Sequence, residues 1–186
     1  MLRPLEESDL ELILPWRNAP TVRKAMFTQH EISWDEHQAW FRRVQADDTK
    51  RWFLFLDHEN APCAVVSFVS IDQAQKLAFW GFYTDPDAKP GTGMRMSLDA
   101  LEKAFFELGL RKLNAEVLSS NLRSLEMHKK IGFIEEGHFR DHFFDGESNV
   151  DIVRFGILHE EWALAKRNLK DRISQWTYAS RDAEVI

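Results

Sequence analysis

The chain has 186 residues, with 24 Lys and Arg against 30 Asp and Glu and a net charge of −6. That length suits one domain with a buried core, and the acidic excess argues against a dedicated nucleic-acid or anionic-membrane binder. A single cysteine, Cys63, excludes an intrachain disulfide and fits a reducing, cytoplasmic compartment; no leader-like segment, membrane-length apolar run or Cys/His metal cluster stands out.

Residues 1–3 read as a short strand. Ser8 can cap a helix carrying Leu10, Leu12, Ile13 and Trp16, and Pro15 leaves the end of that helix open. Trp16-Arg17-Asn18 leads into a second helical piece near residues 22–27. Ser33-Trp34-Asp35-Glu36 has capping-box spacing. The helix it starts puts His37, Trp40, Phe41 and Val44 on one face. Core packing is the usual fate of such a face, yet Arg17 and His37 beside the aromatic rings could also hold a ligand.

Residues 51–57 and 62–71 read as strands, rich in apolar, β-branched and aromatic side chains. Cys63 fits a small buried residue at the start of the second strand. Ser67 lies in its middle, either tolerated there or part of a site. Asp72-Gln73-Ala74-Gln75 turns the chain into a strand over 76–84. Its aromatics Phe79, Trp80, Phe82 and Tyr83 must alternate between two faces.

A proline-bracketed turn follows, with Gly91 and Gly93 ahead of a helix over residues 94–108. Glycines let the backbone turn sharply and approach a ligand. The unpaired N–H groups and dipole of the helix start make an anion site behind them. Lys89 and Arg95 add positive charge on either side. Residues 112–118 form a strand in which Glu116 is a carboxylate among apolar neighbours, facing either a cleft or solvent. A helical segment to Phe133 comes next, then a long strand ending at the Asp145-Gly146 turn and its hairpin partner over 149–158. A last helix begins at His159. Apolar periodicity fades after Lys170, which predicts a domain over 1–169 and a mobile or partner-contacting tail over 170–186.

The segment Asn121-Leu122-Arg123-Ser124-Leu125-Glu126-Met127-His128-Lys129-Lys130-Ile131-Gly132-Phe133, set after the Gly-rich loop, resembles the acetyl-CoA-binding core of the GCN5-related N-acetyltransferases. The resemblance covers about residues 1–165. It implies an α/β (α+β) fold, a single domain whose mixed sheet of about seven strands is flanked by helices and splayed by a bulge between its fourth and fifth strands. It also implies acetyl-CoA as co-substrate and no metal. Phe82, Tyr83 and Thr84 would line the thioester with backbone amides. Lys89, Gly91, Thr92, Gly93, Met94, Arg95, Asn121, Ser124 and Lys130 would hold the rest of the donor. The leading Arg or Gln of the family's loop is Ala88 here, with Lys89 as the substitute.

The family's frequent tyrosine acid falls on His128, and an unperturbed histidine, titrating at about 6.5, suits protonation of a CoA thiolate. If Glu116 faces the cleft it can take the amine proton, directly or through a water shared with Ser67. Trp16-Arg17-Asn18 and residues 81–86 and 140–146 resemble the N-acetyltransferases of pseudaminic acid biosynthesis. Those enzymes act on the 4-amino group of UDP-4-amino-4,6-dideoxy-N-acetyl-β-L-altrosamine and feed flagellin and surface glycans of bacteria. Such an acceptor needs cations or donors for its diphosphate, which Arg17 and His37 could supply, and apolar faces for the uracil and deoxysugar, which Met26, Phe27, Trp40 and Phe79 could supply, with core packing as the alternative for each. The alternatives are a protein N-terminal or small-amine acetyltransferase, or a non-catalytic acetyl-CoA-binding module. Small molecules are the expected partners, not nucleic acid or membrane, for a monomer or homodimer.

Overall fold

The computed structural model describes residues 1–183, with side chains through Ser174. Among these residues the strands are β1 (Leu2–Pro4), β2 (Arg51–Leu56), β3 (Pro62–Asp72), β4 (Leu77–Thr84), β5 (Lys112–Leu118), β6 (Ile134–Phe144) and β7 (Asn149–Leu158). They form one mixed sheet in the order β1-β2-β3-β4-β5-β7-β6. The helices are α1 (Leu10–Asn18), α2 (Pro20–Arg23), α3 (Trp34–Gln45), α4 (Thr92–Glu102), α5 (Leu122–Ile131) and α6 (His159–Ala183).

Side-chain alternation sorts the strands into two layers. Ala64, Val66 and Phe68 of β3, Ala78 and Trp80 of β4, Ala115 and Val117 of β5 and Phe155 of β7 pack with residues of α4, α5 and α6. On the other face Leu54, Leu56, Val65 and Tyr83 pack with Leu10, Ile13, Trp16, Phe41 and Val44 of α1 and α3. Cys63 is buried in the first of these layers, as its sequence setting suggested.

The strands β4 and β5 run parallel and pair only over Leu77–Phe79 and Lys112–Asn114. Beyond Phe79 they diverge, and β4 continues to Thr84 without β5 beside it. The splay therefore stands where the resemblance put it. The expected bulge does not: β4 pairs with β3 in unbroken register from Phe79 to Thr84.

Local differences from the sequence reading have simple causes. Ser8 is not a cap; it lies in a one-turn 3-10 helix at Glu7–Asp9 in which Glu6 and Asp9 form the capping box. Pro15 is accommodated inside α1, which runs on to Asn18. The second helical piece is shorter and earlier, Pro20–Arg23. Ser33 does cap α3, its Oγ accepting the Glu36 N–H at 3.2 Å. The Glu36 carboxylate turns instead to His30 at 2.9 Å. The helix after the Gly-rich loop starts at Thr92 and ends in a π-helical turn, Lys103–Glu107. The boundary drawn at Lys170 falls inside α6, because Leu169 is fully buried and the helix continues to Ala183. Residues 184–186 of the expected tail lie outside the described residues.

Candidate active site

Of the two glycines expected ahead of the helix, Gly91 does precede α4, whereas Gly93 lies within its first turn. Gly91 is the N-cap of α4 and has φ 84°, a left-handed conformation that costs a side-chain-bearing residue energy. Gly93 and Met94 follow at the helix start, where N–H groups lack intrahelical acceptors. Gly93 has a second role: a Cβ there would lie 3.1 Å from Cε of Met127, so glycine lets α4 approach α5.

Several side chains assigned to the donor are engaged within the protein. The Thr92 hydroxyl donates to the Lys89 carbonyl at 2.7 Å, and the Met94 side chain is in the core. Only the backbones of these two remain available at the loop. Lys89 pairs with Glu59 at 2.7 Å on the open surface, and Arg95 donates to the Pro90 carbonyl at 3.2 Å. Asn121 caps α5, accepting the Ser124 N–H at 3.1 Å. Lys130 is exposed on α5.

His128 lies on the buried face of α5, 3% exposed, among Trp80, Phe133 and Phe155. Burial in that aromatic box pushes its pKa down to about 4, against a smaller upward pull from the Ser124 backbone. Its Nδ1 lies 2.8 Å from the Ser124 carbonyl, which can only accept, so the ring proton sits on Nδ1. The premise of an unperturbed imidazole poised to protonate a thiolate is thereby corrected. At neutral pH this histidine is uncharged and carries a lone pair, not a proton, on Nε2.

Ser67, Gly81 and Tyr83 project to the opposite face, toward α1 and α3. A cavity of about 360 Å³ opens there, bringing together Arg17, Met26, Phe27, His37, Trp40, Ser67, Phe82 and Tyr83. The sequence reading had assigned five of these to an acceptor, Ser67 to the chemistry, and Phe82 and Tyr83 to the donor. Phe79, also assigned to the acceptor, lies elsewhere. Its ring packs under the Arg154 guanidinium, 4.6 Å from the centroid.

The cavity gathers several side-chain nitrogens without partners. Arg17 donates Nη2 to the Thr28 carbonyl at 2.8 Å, while its Nη1 is buried without a partner. Nε2 of His37 and Nε1 of Trp52 are likewise buried and unpartnered. Burial pulls the Arg17 pKa down and, with Arg17 nearby, does the same at His37. Burial raises the Tyr83 phenol, which stays protonated. Buried polar groups are normally hydrogen-bonded, so Arg17 and Trp52 call for acceptor atoms on a ligand, while Nε2 of the neutral His37, whose ring proton is held by the Leu10 backbone, offers a lone pair to a donor. The Ser67 hydroxyl donates to the Gly81 carbonyl at 3.2 Å.

Glu116 shares the sheet face of Phe79 but does not line the cavity. It is ion-paired with Arg154, whose Nε donates to Oε1 at 3.0 Å and whose Nη2 bonds the same oxygen. The sequence reading missed Arg154, which stands opposite Glu116 in the β5–β7 register. It also missed Thr28, Ile32, Glu36, Arg43 and Trp52 in the cavity wall. Trp52 could have been found, since it shares strand parity with the buried Leu54 and Leu56. Glu36 was hidden by its fit to a capping box. Among the described residues no group of three or more His, Cys, Asp and Glu could hold a metal ion. Nor is any described helix long and apolar enough to cross a membrane.

Comparison with known proteins agrees with the fold. The family described as Acetyltransferase (GNAT) domain matches residues 1–134. The acetyltransferase PseH of Campylobacter jejuni is 30% identical over 129 residues, spanning 69% of this chain and 79% of that protein. The spermidine N(1)-acetyltransferase of Vibrio cholerae is 26% identical over 163 residues, 87% of this chain and 94% of that protein. The crystal structure of the Vibrio spermidine N-acetyltransferase with CoA and spermine superposes with a TM-score of 0.81 at 25% identity. It covers 88% of this chain and 97% of the other.

Proposed function

Because the chain belongs to the acetyltransferase (GNAT) domain family and takes its acetyl group from acetyl-CoA, we propose that its acceptor is the 4-amino group of a UDP-4-amino-4,6-dideoxy sugar. The observation that carries this reading is the part-buried Arg17 guanidinium, whose Nη1 is buried without a partner, in a cavity that also holds Arg43 and the buried, unpartnered Nε1 of Trp52. A diphosphate and a uracil offer many acceptor atoms to such donors and offset the cost of a desolvated cation. Met26, Phe27 and Trp40 offer apolar faces to the base and the deoxysugar. In bacteria the product would feed a pseudaminic-acid-type glycan on flagellin or the cell surface.

Transfer is direct. The Gly93 and Met94 amides at the α4 start hold the donor's pyrophosphate, aided by Lys89 and Arg95, with Asn121, Ser124 and Lys130 on the α5 side. The acetyl group lies in the splay, where backbone groups of Phe82–Thr84 no longer meet β5. There they can stabilise the oxyanion. The neutral amine attacks the thioester carbon, the C–S bond breaks, and one amine proton ends on the CoA sulfur. Glu116 takes that proton from the amine through a water that Ser67 orients, and passes it on through water to the departing sulfur, which regenerates the carboxylate. His128 lends the thiolate no proton in this scheme and acts as a wall of the aromatic box.

A second reading is favoured by the greater span of the spermidine acetyltransferases across this chain. In it the acceptor is a polyamine. The experiment is release of free CoA thiol from acetyl-CoA with the UDP-4-amino sugar, with spermidine, or with a basic N-terminal peptide. Release with the sugar nucleotide alone is expected; release with spermidine or the peptide alone overturns the proposal.

A further inference from the structure

The segment of residues 24–33, between α2 and α3, gives the cavity Met26, Phe27, Thr28 and Ile32. Its root is tied to the end of α1. Arg17 donates to the Thr28 carbonyl at 2.8 Å. Asn18 donates Nδ2 to the Ile32 carbonyl at 2.8 Å and accepts the Ile32 N–H on Oδ1 at 2.9 Å. Its Phe27 reaches the other half of the sheet. The ring packs edge-on against Phe143 of β6, with centroids 5.4 Å apart and planes at 73°. Because β6 is the far edge of the β5-β7-β6 half, this contact spans the splay.

An interrupted strand accompanies the Phe143 contact. Phe139 pairs with Ile152 and Phe143 with Val150, so four residue steps on β6 oppose two on β7. Within this bulge Asp141 has φ 50°, a conformation uncommon outside glycine. Asp151, in the opposed stretch of β7, holds it. Oδ1 of Asp151 accepts the Asp141 N–H at 2.8 Å, and Oδ2 bonds Nε2 of His138 at 2.6 Å. Positive-φ residues inside a strand persist where surrounding bonds determine them.

We propose that residues 24–33 form a strap over the acceptor cavity, latched across the cleft by Phe27 on Phe143, and that Asp151 is a positioning residue that sets the latch by holding the β6 bulge. The strap's role in acceptor binding rests on the reading of this cavity as the acceptor site; the latch itself does not. The donor loop takes no part in these contacts. Loosening the latch should therefore weaken acceptor binding and leave acetyl-CoA binding alone.

The test is hydrogen exchange of peptides covering residues 24–33 and 92–102 in the full chain, together with steady-state kinetics. The variants are Phe143→Ala, Phe27→Ala, the Phe27→Ala/Phe143→Ala double, Asp151→Ala and Asp151→Asn. An aromatic pair of this kind is worth about a three- to tenfold change in an equilibrium. Exchange over 24–33 should therefore speed by about that factor in both single alanine variants of the pair, with 92–102 unchanged. The double variant should match the singles. The acceptor KM for the UDP-4-amino sugar should rise by a similar factor at constant acetyl-CoA KM. Asp151→Ala should behave like Phe143→Ala. Asp151→Asn, which keeps an oxygen for the Asp141 N–H, should lie nearer wild type. Unchanged exchange over 24–33 in Phe143→Ala overturns the latch. Faster exchange with an unchanged acceptor KM overturns its role in acceptor binding. Uniformly faster exchange in Asp151→Ala makes that residue structural only. If the wild type leaves the sugar nucleotide unacetylated, the acceptor reading fails, while the exchange data still decide the latch.

Discussion

Replacement of His128 by phenylalanine should make the protein more resistant to mild acid. His128 is 3% exposed and its folded-state pKa is pushed down to about 4 by burial. The unfolded chain takes up the proton at about 6.5. The folded form binds fewer protons between those values, so stability is fully present above about 6.5 and erodes as pH falls toward 4. At 1.36 kcal/mol for each unit of pKa difference, the loss reaches about 3 kcal/mol by pH 4. That is a large part of a domain stability of about 5–15 kcal/mol. Phenylalanine keeps the ring contacts with Trp80, Phe133 and Phe155 and forfeits the bond to the Ser124 carbonyl, a cost of about 1 kcal/mol at every pH. Urea unfolding of both proteins from pH 7.5 to 4 measures the difference directly. The wild type should start slightly more stable and end less stable. His37, whose pKa burial also lowers, contributes equally to both proteins and cancels in the comparison. Parallel stability curves would refute the buried neutral imidazole. They would also return His128 to consideration as the acid for the thiolate.

Two further outcomes test the site. Gly91→Ala forces a Cβ onto a residue with φ 84°, and should cost about 1–2 kcal/mol, lowering Tm by several degrees. Because this residue caps α4, the acetyl-CoA KM should rise as well, with the acceptor KM unchanged; a variant with wild-type Tm and KM contradicts the loop assignment. Glu116→Gln retains the shape of the side chain bonded to Arg154 but removes the proton acceptor, and kcat should fall about a hundredfold at unchanged acetyl-CoA KM. A kcat within a few-fold of wild type removes Glu116 from the reaction.

Periodicity carried most of the fold. The strand limits at β2, β3, β4 and β5 match the apolar runs within a residue, because each strand is buried on one or both faces. Ser33, Gly91 and Gly93 were legible as local chemistry. Ser8 was not, since Glu6 and Asp9 also meet capping-box spacing and won the competition. The site divided along the same line. Arg17, Met26, Phe27, His37 and Trp40 do share a cavity, being clustered in the first helices and the segment that joins α2 to α3. Ion pairing was out of reach: Glu116 and Arg154 lie 38 residues apart and meet only through the β5–β7 register. For His128 the sequence held a signal that the motif obscured. Leu125, His128 and Ile131 recur every three residues along α5, so the histidine belongs to an inward stripe, and its burial follows.

The two proposed acceptors differ in charge, and the cavity bears on that difference. A unit charge about 4 Å from the Arg17 guanidinium interacts by about 4 kcal/mol at an effective dielectric of 20, favourably for a phosphate and unfavourably for an ammonium. Glu36, the one carboxylate among the described residues lining the cavity, is exposed and already bonded to His30, so it offsets little of that repulsion. UDP alone should therefore bind and raise Tm. A ligand at a hundred times its Kd adds about 2.7 kcal/mol of stability, a shift of several degrees for a chain of this size. Arg17→Met should abolish most of the UDP shift while leaving the acetyl-CoA shift intact, because the donor loop lies on a different element. Spermidine at the same concentration should give no shift. A spermidine shift that survives or grows in Arg17→Met, with none from UDP, would mean that Arg17 opposes the true acceptor and that the polyamine reading holds.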